Sequence, residues 1–332
     1  MTAVERVEVE RLSAPLHTPF VTALRRATSV ESVLVRVTDS DGRVGYGEAP
    51  ANGPVLGTTL EGNTAVLEGP LRDAVLGRAV DPRALWPRLD RAVLGHGAAK
   101  SALDCALHGL GGAPAVDLPT VVTLPVGEPD DVAAAAAARV AEGFTDLKLK
   151  VGTDPALDRA RVRAARAAAP GAALRIDANQ GWDAHTALAV LDDLADQGLE
   201  LVEQPVPARD LLGLAHVRRH APVPVLADES VFGLEDLVAV IRLGAADLVN
   251  LKLAKAGGLT PARELARVAR QHGLGVTVGC MLEGPVGVAA AARLAAEVGC
   301  DVVPDLDGAW WLRDPGPVAY PAGRVRVGRM DP

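Results

Sequence analysis

Apolar and polar positions divide this chain into two regimes. From about residue 118 short apolar runs alternate with Ala/Leu/Arg-rich stretches of helical period. The runs are PTVVTL (119–124), TDLKLKV (145–151), ALRIDAN (173–179), LELVEQP (199–205), VPVLADES (223–230), DLVNLKL (247–253), GVTVGCM (275–281) and CDVVPDLD (300–307). Continuous apolar strands alternating with helices predict a parallel sheet covered on both faces. Eight such units within about 190 residues predict a (β/α)-barrel. The stretch after the eighth run is too short and too rich in Pro and Gly for a full closing helix. The expected fold is therefore α/β, a (β/α)7β-type TIM barrel, with its tail rejoining the N-terminal part.

The first 115 residues follow another pattern. VERVEVERL, ESVLVRVTD and GRVGYGEA alternate as antiparallel strands do. Helical periodicity predicts helices near 59–75, 82–93 and 97–110, the last with the spacing of a packed helix in AKSALDCALHGL. This reads as an α+β capping domain over 1–115, with the tail from about 310 to 332 returning to it, ahead of a barrel over 116–309. Segments 13–29 and 49–57, rich in Pro, Gly and Thr, are expected as loops over the barrel mouth. Alanine runs such as VAAAAAARVAEG are good helix formers rather than low-complexity sequence.

Composition narrows the function classes. The 332 residues are 49% hydrophobic and 23% charged, as in soluble globular chains. The net charge of −8 gives no basic footprint for nucleic acid or an anionic membrane. No apolar run approaches the ~18 residues of a membrane span, and MTAVERVEVERL lacks the layout of a signal peptide. Cys105, Cys280 and Cys300 are odd in number and widely spaced, which predicts a reduced, cytoplasmic setting.

The candidate chemistry lies at the ends of the apolar runs, where barrel enzymes carry their active sites. Asp177 in RIDAN, Glu203 in VEQP and Asp228 in ADES end three successive strands. The steps from Lys150 through these residues to Lys252 are 27, 26, 25 and 24 residues. A single acidic strand end reads equally as a helix N-cap. Three in succession would repel strongly in a narrow mouth, and a divalent cation relieves that. All-oxygen ligands suit Mg²⁺.

Lys150 and Lys252 end strands two and six, four strands apart and so on opposite walls. A ligand on the metal would have one ammonium on each side. Nearby cations lower a lysine's pKa toward the range of a general base. Lys148, two residues before Lys150, shares its face and is expected to assist by crowding it. Lys255 reads as a helix-start or salt-bridge residue. Asp305 and Asp307, two apart in the eighth run, would face one way and stabilise a cationic group.

Jointly KLK, DAN, EQP, ADES and KLAKAGG resemble the enolase superfamily, in its muconate-lactonizing subgroup, over nearly the whole chain. The resemblance implies Mg²⁺, a chelated substrate carboxylate, and removal of the proton α to it to give a metal-stabilised enediolate. Lys150 and Lys252 match the two acid/base lysines. VTVGCMLEG carries no His at the end of strand seven, unlike mandelate-racemase-type sites, and His272 lies before that strand. DLDG followed by WL resembles the dipeptide epimerases, where the Asp pair holds the ammonium of a dipeptide. TPFVTALRRATSVES resembles the Ala-Glu type, in which an Arg meets the side-chain carboxylate; Arg25 is the matching residue, with Arg26 beside it. APANGPVLGTT departs from the Ala-Glu pattern, and Trp310 and Trp311 are candidates to narrow the pocket.

The implied function is an isomerase, a two-base dipeptide epimerase with L-Ala-D/L-Glu as leading substrate. Muconate cycloisomerase and o-succinylbenzoate synthase/N-acylamino-acid racemase are alternatives within the superfamily, and a non-catalytic ligand-binding barrel is the alternative outside it. A homo-oligomer is a further implication of the resemblance.

Overall fold

The N-terminal alternation builds an antiparallel meander of β1 (Val4–Val21), β2 (Arg26–Asp39) and β3 (Val44–Pro50). The computed structural model describes residues 2–22 and 26–329. Asp39 shapes the second turn by accepting from the backbone N–H of Asp41 and Arg43, and Gly42 supplies the positive φ of 80°. The expected loop over 13–29 is instead mostly strand. Ladder pairing continues past Pro15↔Ser29 and, after a register shift, resumes at Phe20↔Ala27 and Val21↔Arg26. The hairpin is therefore long enough to carry Phe20 and Thr22 to the barrel mouth.

The cap helices follow: α1 (Gly53–Leu56), α2 (Leu60–Val66), α3 (Arg72–Val75), α4 (Pro82–Ala92) and α5 (Gly97–Gly109). The helix expected over 59–75 is broken between α2 and α3. Gly69 leaves helical geometry at φ −112° and ψ −111°, directly before Pro70, as the restriction on residues preceding proline requires. Helix α5 is buried along nearly its whole length and lies on β3. Close approach there depends on glycine: a Cβ on Gly47 would lie 1.8 Å from the Ala102 carbonyl oxygen.

After β4 (Val116–Pro119), the barrel begins with β5 (Val122–Leu124), then α6 (Pro129–Ala141), β6 (Asp146–Lys150), α7 (Pro155–Ala168) and β7 (Ala173–Asp177). It continues through α8 (Ala184–Asp193), β8 (Leu199–Glu203), α9 (Leu211–His220), β9 (Val225–Ala227) and α10 (Leu234–Leu243). The last units are β10 (Leu248–Lys252), α11 (Leu253–Ala256), α12 (Leu259–Gln271), β11 (Gly275–Gly279) and α13 (Pro285–Val298). Strands β5 to β11 form one parallel sheet in sequence order.

Seven regular strands are present in that sheet where eight were expected. The eighth run closes the ring as an irregular extended segment. Asp305 donates its N–H to the Val278 carbonyl (3.0 Å), Cys280 donates to the Asp305 carbonyl (2.9 Å), and Val121 donates to the Pro304 carbonyl (3.0 Å). Pro304 has no N–H to continue a ladder. A 3₁₀ turn over Gly308–Trp311 replaces a closing helix. The tail strands β12 (Val318–Ala319) and β13 (Arg324–Val327) form a small sheet with β4, and Leu312 bridges to Leu16 of the cap hairpin. No helix among the described residues is long and apolar enough to cross a membrane, and all three cysteines are free thiols.

Inserting a methyl group where β3 meets α5 tests this packing. Gly47→Ala should destabilise the fold by about 1–3 kcal/mol through overpacking. Gly53→Ala, where nothing lies within 4 Å, should stay within about 0.5 kcal/mol of the parent. Denaturant unfolding of the two variants measures the difference.

Candidate active site

The side-chain period of a strand sets this site. In β6, Leu147 and Leu149 join the apolar layer under the helices, while Lys148 and Lys150 turn to the barrel interior. Strand register aligns Lys150, Asp177 and Glu203 across three neighbouring strands. Asp228 follows the end of β9, and Lys252 ends β10 on the far wall. All five side chains, with Lys148, Lys255, Glu229, Asp305 and Asp307, are buried.

Ion pairs connect them. Lys150 Nζ lies 2.5 Å from Asp177 Oδ2, and Lys252 Nζ 2.7 Å from Asp228 Oδ2. Lys148 Nζ sits 3.0 Å from Asp177, 2.8 Å from Glu203 and 2.6 Å from Asp305. Lys255 Nζ lies 2.6 Å from Asp228 Oδ1 and donates to the Asn250 carbonyl (3.1 Å), the salt-bridge role expected of it. These pairs change the expected role of Lys148. Burial lowers its ammonium pKa, but Asp305, Glu203 and Asp177 outweigh that and hold it well above the ordinary value. Lys252 is likewise held high against burial, chiefly by Asp228. At Lys148 and Lys252, before any metal is considered, attraction to the carboxylates dominates over lysine–lysine crowding.

The carboxylates diverge. Burial pushes Asp177 up, but Lys150 and Lys148 outweigh it and bring the group to about 2. Asp228 is also driven below the carboxylate range, with Lys252 and Lys255 overcoming burial. Glu203 is raised by burial and by Asp177. Glu229 rises to about 8 through burial and the nearby Asp228 and Asp177.

A cleft opens above these groups, lined also by Phe20, Thr22, Asn52, Val55, Met281, Leu282 and Trp311. Phe20 and Thr22 of the hairpin and Asn52 and Val55 of the 49–57 segment therefore reach the mouth, where those segments were expected. Asp305 and Asp307 both face the cleft. Asp307 Oδ2 accepts from the Thr123 N–H (2.7 Å) and from Trp311 Nε1 (3.1 Å). Burial and the neighbouring Asp305 raise its pKa to about 6. Burial opposes ionisation of Asp305, yet Lys148, Lys252 and Lys150 hold it below the usual value. Trp310 points elsewhere, packing on His17 and Phe144 and under the Arg139 guanidinium. Arg25 lies outside the described residues, and Arg26 is exposed in β2.

Residues 3–120 match the family described as "Mandelate racemase / muconate lactonizing enzyme, N-terminal domain", and residues 131–331 match "Enolase C-terminal domain-like". The chain belongs to the enolase superfamily. It is similar to the L-Ala-D/L-Glu epimerase of Clostridium acetobutylicum, at 38% identity over 92% of this chain and 90% of that one. The hydrophobic dipeptide epimerase of Enterococcus faecalis is 34% identical over 93% and 91%. Among solved structures, the substrate-liganded L-Ala-D/L-Glu epimerase of Bacillus subtilis superposes with a TM-score of 0.94, at 34% identity, covering 99% of this chain and 97% of that one. The Enterococcus faecalis dipeptide epimerase complexed with Mg and L-Leu-L-Tyr gives 0.93 at 32% identity, covering 99% and 98%. This superfamily member is an isomerase of the epimerase kind.

The donor set of the site fits a dication. Asp177, Glu203, Asp228, Glu229, Asp305 and Asp307 face the ammoniums of Lys148, Lys150, Lys252 and Lys255. Fully ionised, these groups leave two negative charges in excess, and burial together with the neighbouring carboxylates raises the pKa values of Glu229 and Asp307. Asn179 Oδ1, Asn250 Oδ1 and Glu229 Oε2 are buried oxygens without hydrogen-bond donors. Among the described residues no three acidic, His or Cys side chains are arranged to grip one ion as they stand, since the Lys148 ammonium lies between Asp177 and Glu203.

Several site residues escaped the sequence reading. Asn179 and Gln204 carry positive φ of 44° and 36°, conformations uncommon for side-chain-bearing residues and enriched at functional sites. Gln204 Oε1 accepts from the N–H of Asp228 and Ser230, fixing the loop that holds Asp228. DAN and EQP did contain these residues, but no rule of spacing marks them. Glu229 was visible only as the neighbour of Asp228. Glu283, buried behind the cleft, accepts from the Met281 N–H (3.1 Å), and burial and Glu48 raise its pKa to about 8.

Glu283 gives a pH test. A carboxyl whose folded pKa lies above its unfolded value favours folding while protonated and loses that advantage as pH rises from about 4.5 to about 8. Wild-type unfolding free energy should fall across that window by an amount on the order of a few kcal/mol. Glu283→Gln should remove this component. Denaturant titrations of both proteins at pH 5 and pH 9 measure it.

Proposed function

We propose that this protein is a Mg²⁺-dependent dipeptide epimerase that inverts the α-carbon of the C-terminal residue. The observation that carries the reading is the pair of buried lysines, Lys150 and Lys252, on opposite walls of the barrel with the Asp177, Glu203 and Asp228 strand ends between them. Asp177, Glu203 and Asp228 would hold the ion. When bound, Mg²⁺ supplies positive charge beside both ammoniums and a seat for the substrate carboxylate.

The chain's own residues then divide the work. One lysine, in its neutral form, removes the α-proton from one face, and the other ammonium returns a proton to the opposite face. Roles exchange for the opposite stereoisomer. Asp307 receives the dipeptide ammonium, assisted by Asp305, which also pairs with Lys148. Burial strengthens that contact by excluding water.

L-Ala-D/L-Glu leads among substrates, because relatives at 38% identity carry that name. Apolar dipeptides are a second reading, favoured by Phe20, Val55, Leu282 and Trp311 around the cleft. A relative named muconate cycloisomerase is 36% identical, but a substrate without an ammonium leaves the buried Asp307 carboxyl without a cation.

Incubation in D₂O with Mg²⁺ and a dipeptide library tests the proposal. Deuterium should enter one α-position of some dipeptides and inversion should accompany it. Exchange confined to N-blocked or non-amino carboxylates would overturn the ammonium role and the dipeptide reading with it. Chelation should abolish exchange, and added Mg²⁺ should restore it.

Lys150→Ala and Lys252→Ala should each reduce inversion by about 10²–10⁴-fold. Each should spare exchange of a different stereoisomer, since the surviving lysine still reaches one face. Stereoisomer-resolved exchange rates by NMR separate the two cases, and small, equal effects in both variants would exclude a two-base mechanism.

A further inference from the structure

Barrel helices α7, α8 and α9 begin under their own aspartates. Asp154, Asp183 and Asp210 stand at the N-caps and accept from backbone N–H groups in the first turn. Helices α12 and α13 begin instead at Gly258 and Gly284, which have no side chain to cap with. Their first-turn amides are served by the other domain. Glu48, in β3, accepts from the Gly284 N–H at 2.7 Å and from the Gly287 N–H at 3.1 Å, and Ser32 Oγ donates to it at 2.7 Å. Asp104, in α5, accepts from the Thr260 N–H at 2.9 Å and from Thr260 Oγ1 at 2.8 Å. Both carboxylates are buried.

The two glycines leave room for them. A Cβ on Gly284 would lie 2.4 Å from Glu48 Oε1, and one on Gly258 2.5 Å from Asp104 Oδ2. Each capped helix follows a segment that builds the cleft. The segment before α12 carries Lys252 and Lys255, and the one before α13 carries Cys280, Met281 and Leu282.

We propose that Glu48 and Asp104 are positioning residues, which cap two barrel helices from the N-terminal domain and thereby fix the cleft-forming segments in register with that domain. At α13, where Gly284 has an extended backbone, an Asp at the helix's own N-cap would satisfy the same amides but would tie the helix to nothing. The capping carboxylate on the cap domain makes cleft geometry depend on domain docking. The inference rests on the reading of the cleft as the substrate site.

Glu48→Ala and the double variant Glu48→Ala with Gly284→Asp separate positioning from capping. Gly284 has φ −81° and ψ −179°, extended geometry that Asp adopts, and removal of the Glu48 side chain frees its space. Glu48→Ala should lower the thermal unfolding midpoint, and the added Asp should restore it by capping α13 locally. Amide exchange over 280–283 should rise at least about tenfold in Glu48→Ala and stay raised in the double variant. KM for the dipeptide should rise about tenfold in both, with kcat within about threefold of wild type, because the strand-borne lysines do not move.

Recovery of slow 280–283 exchange and low KM in the double variant would reduce Glu48 to a helix cap and overturn the proposal. Unchanged exchange in Glu48→Ala would overturn it as well. The exchange measurement needs no substrate. If no variant, nor the parent, isomerises a dipeptide while exchange responds as expected, the epimerase reading falls and the positioning role stands.

Discussion

Ten ionisable side chains are buried together at the C-terminal mouth of the barrel: six carboxyls and four ammoniums. Taking even paired charges out of water is costly, and pairing repays it only when geometry is good. Here the pairing is dense, with Lys148 alone meeting three carboxylates within 3.0 Å. It remains incomplete, because two negative charges are in excess. That imbalance is poor design for stability alone. It suits a site whose charge is completed by a dication, and the rest of the fold keeps the groups from relaxing apart.

The sheet does the holding. Lys148 lies between Leu147 and Leu149 and Lys150 between Leu149 and Val151, all three anchored in the layer beneath the helices, so the lysines leave the interior only if those side chains leave the core. Strand register then sets which side chains meet. Asp177 pairs with Lys150 on one side and with Glu203 on the other because their strands align there. The Asp228 backbone is fixed by Gln204, whose own positive φ aims its amide at the next strand's loop. Strain in one residue thus positions the carboxylate of another.

Much of this was legible in the sequence for one reason: the barrel repeats. A parallel strand buried on both sides reads as a continuous apolar run, so a charge inside it stands out, and regular spacing assigns successive charges to successive strands. Lys150, Asp177, Glu203, Asp228 and Lys252 were found that way, and the structure brings them to one mouth. Legibility failed where the repeat fails. The eighth run has the composition of a strand, but Pro304 interrupts its ladder. The β1–β2 hairpin extends through residues whose Pro and Thr content resembles a loop, because pairing partners rather than propensity decide its length. Glu48 and Asp104 carry no local signal at all. The amides they serve lie up to 239 residues away, and only the bare glycines at 258 and 284 mark the need.

Those long-range contacts bear on how one scaffold accommodates different substrates. Proton transfer needs groups fixed relative to one another, and strands supply that rigidity. The wall of the cleft is shared between Phe20, Asn52 and Val55 from the cap and Met281, Leu282 and Trp311 from the barrel. Neither set encloses a ligand alone. A change in cap sequence can therefore alter selectivity without touching Lys150 or Lys252, but only while the cap docks in a fixed register. Glu48 meets that condition at the loop carrying Met281 and Leu282, and Asp104 meets it at the segment following Lys252. The two walls of the cleft stay aligned with the strand-borne lysines because buried carboxylates of one domain complete the helices of the other.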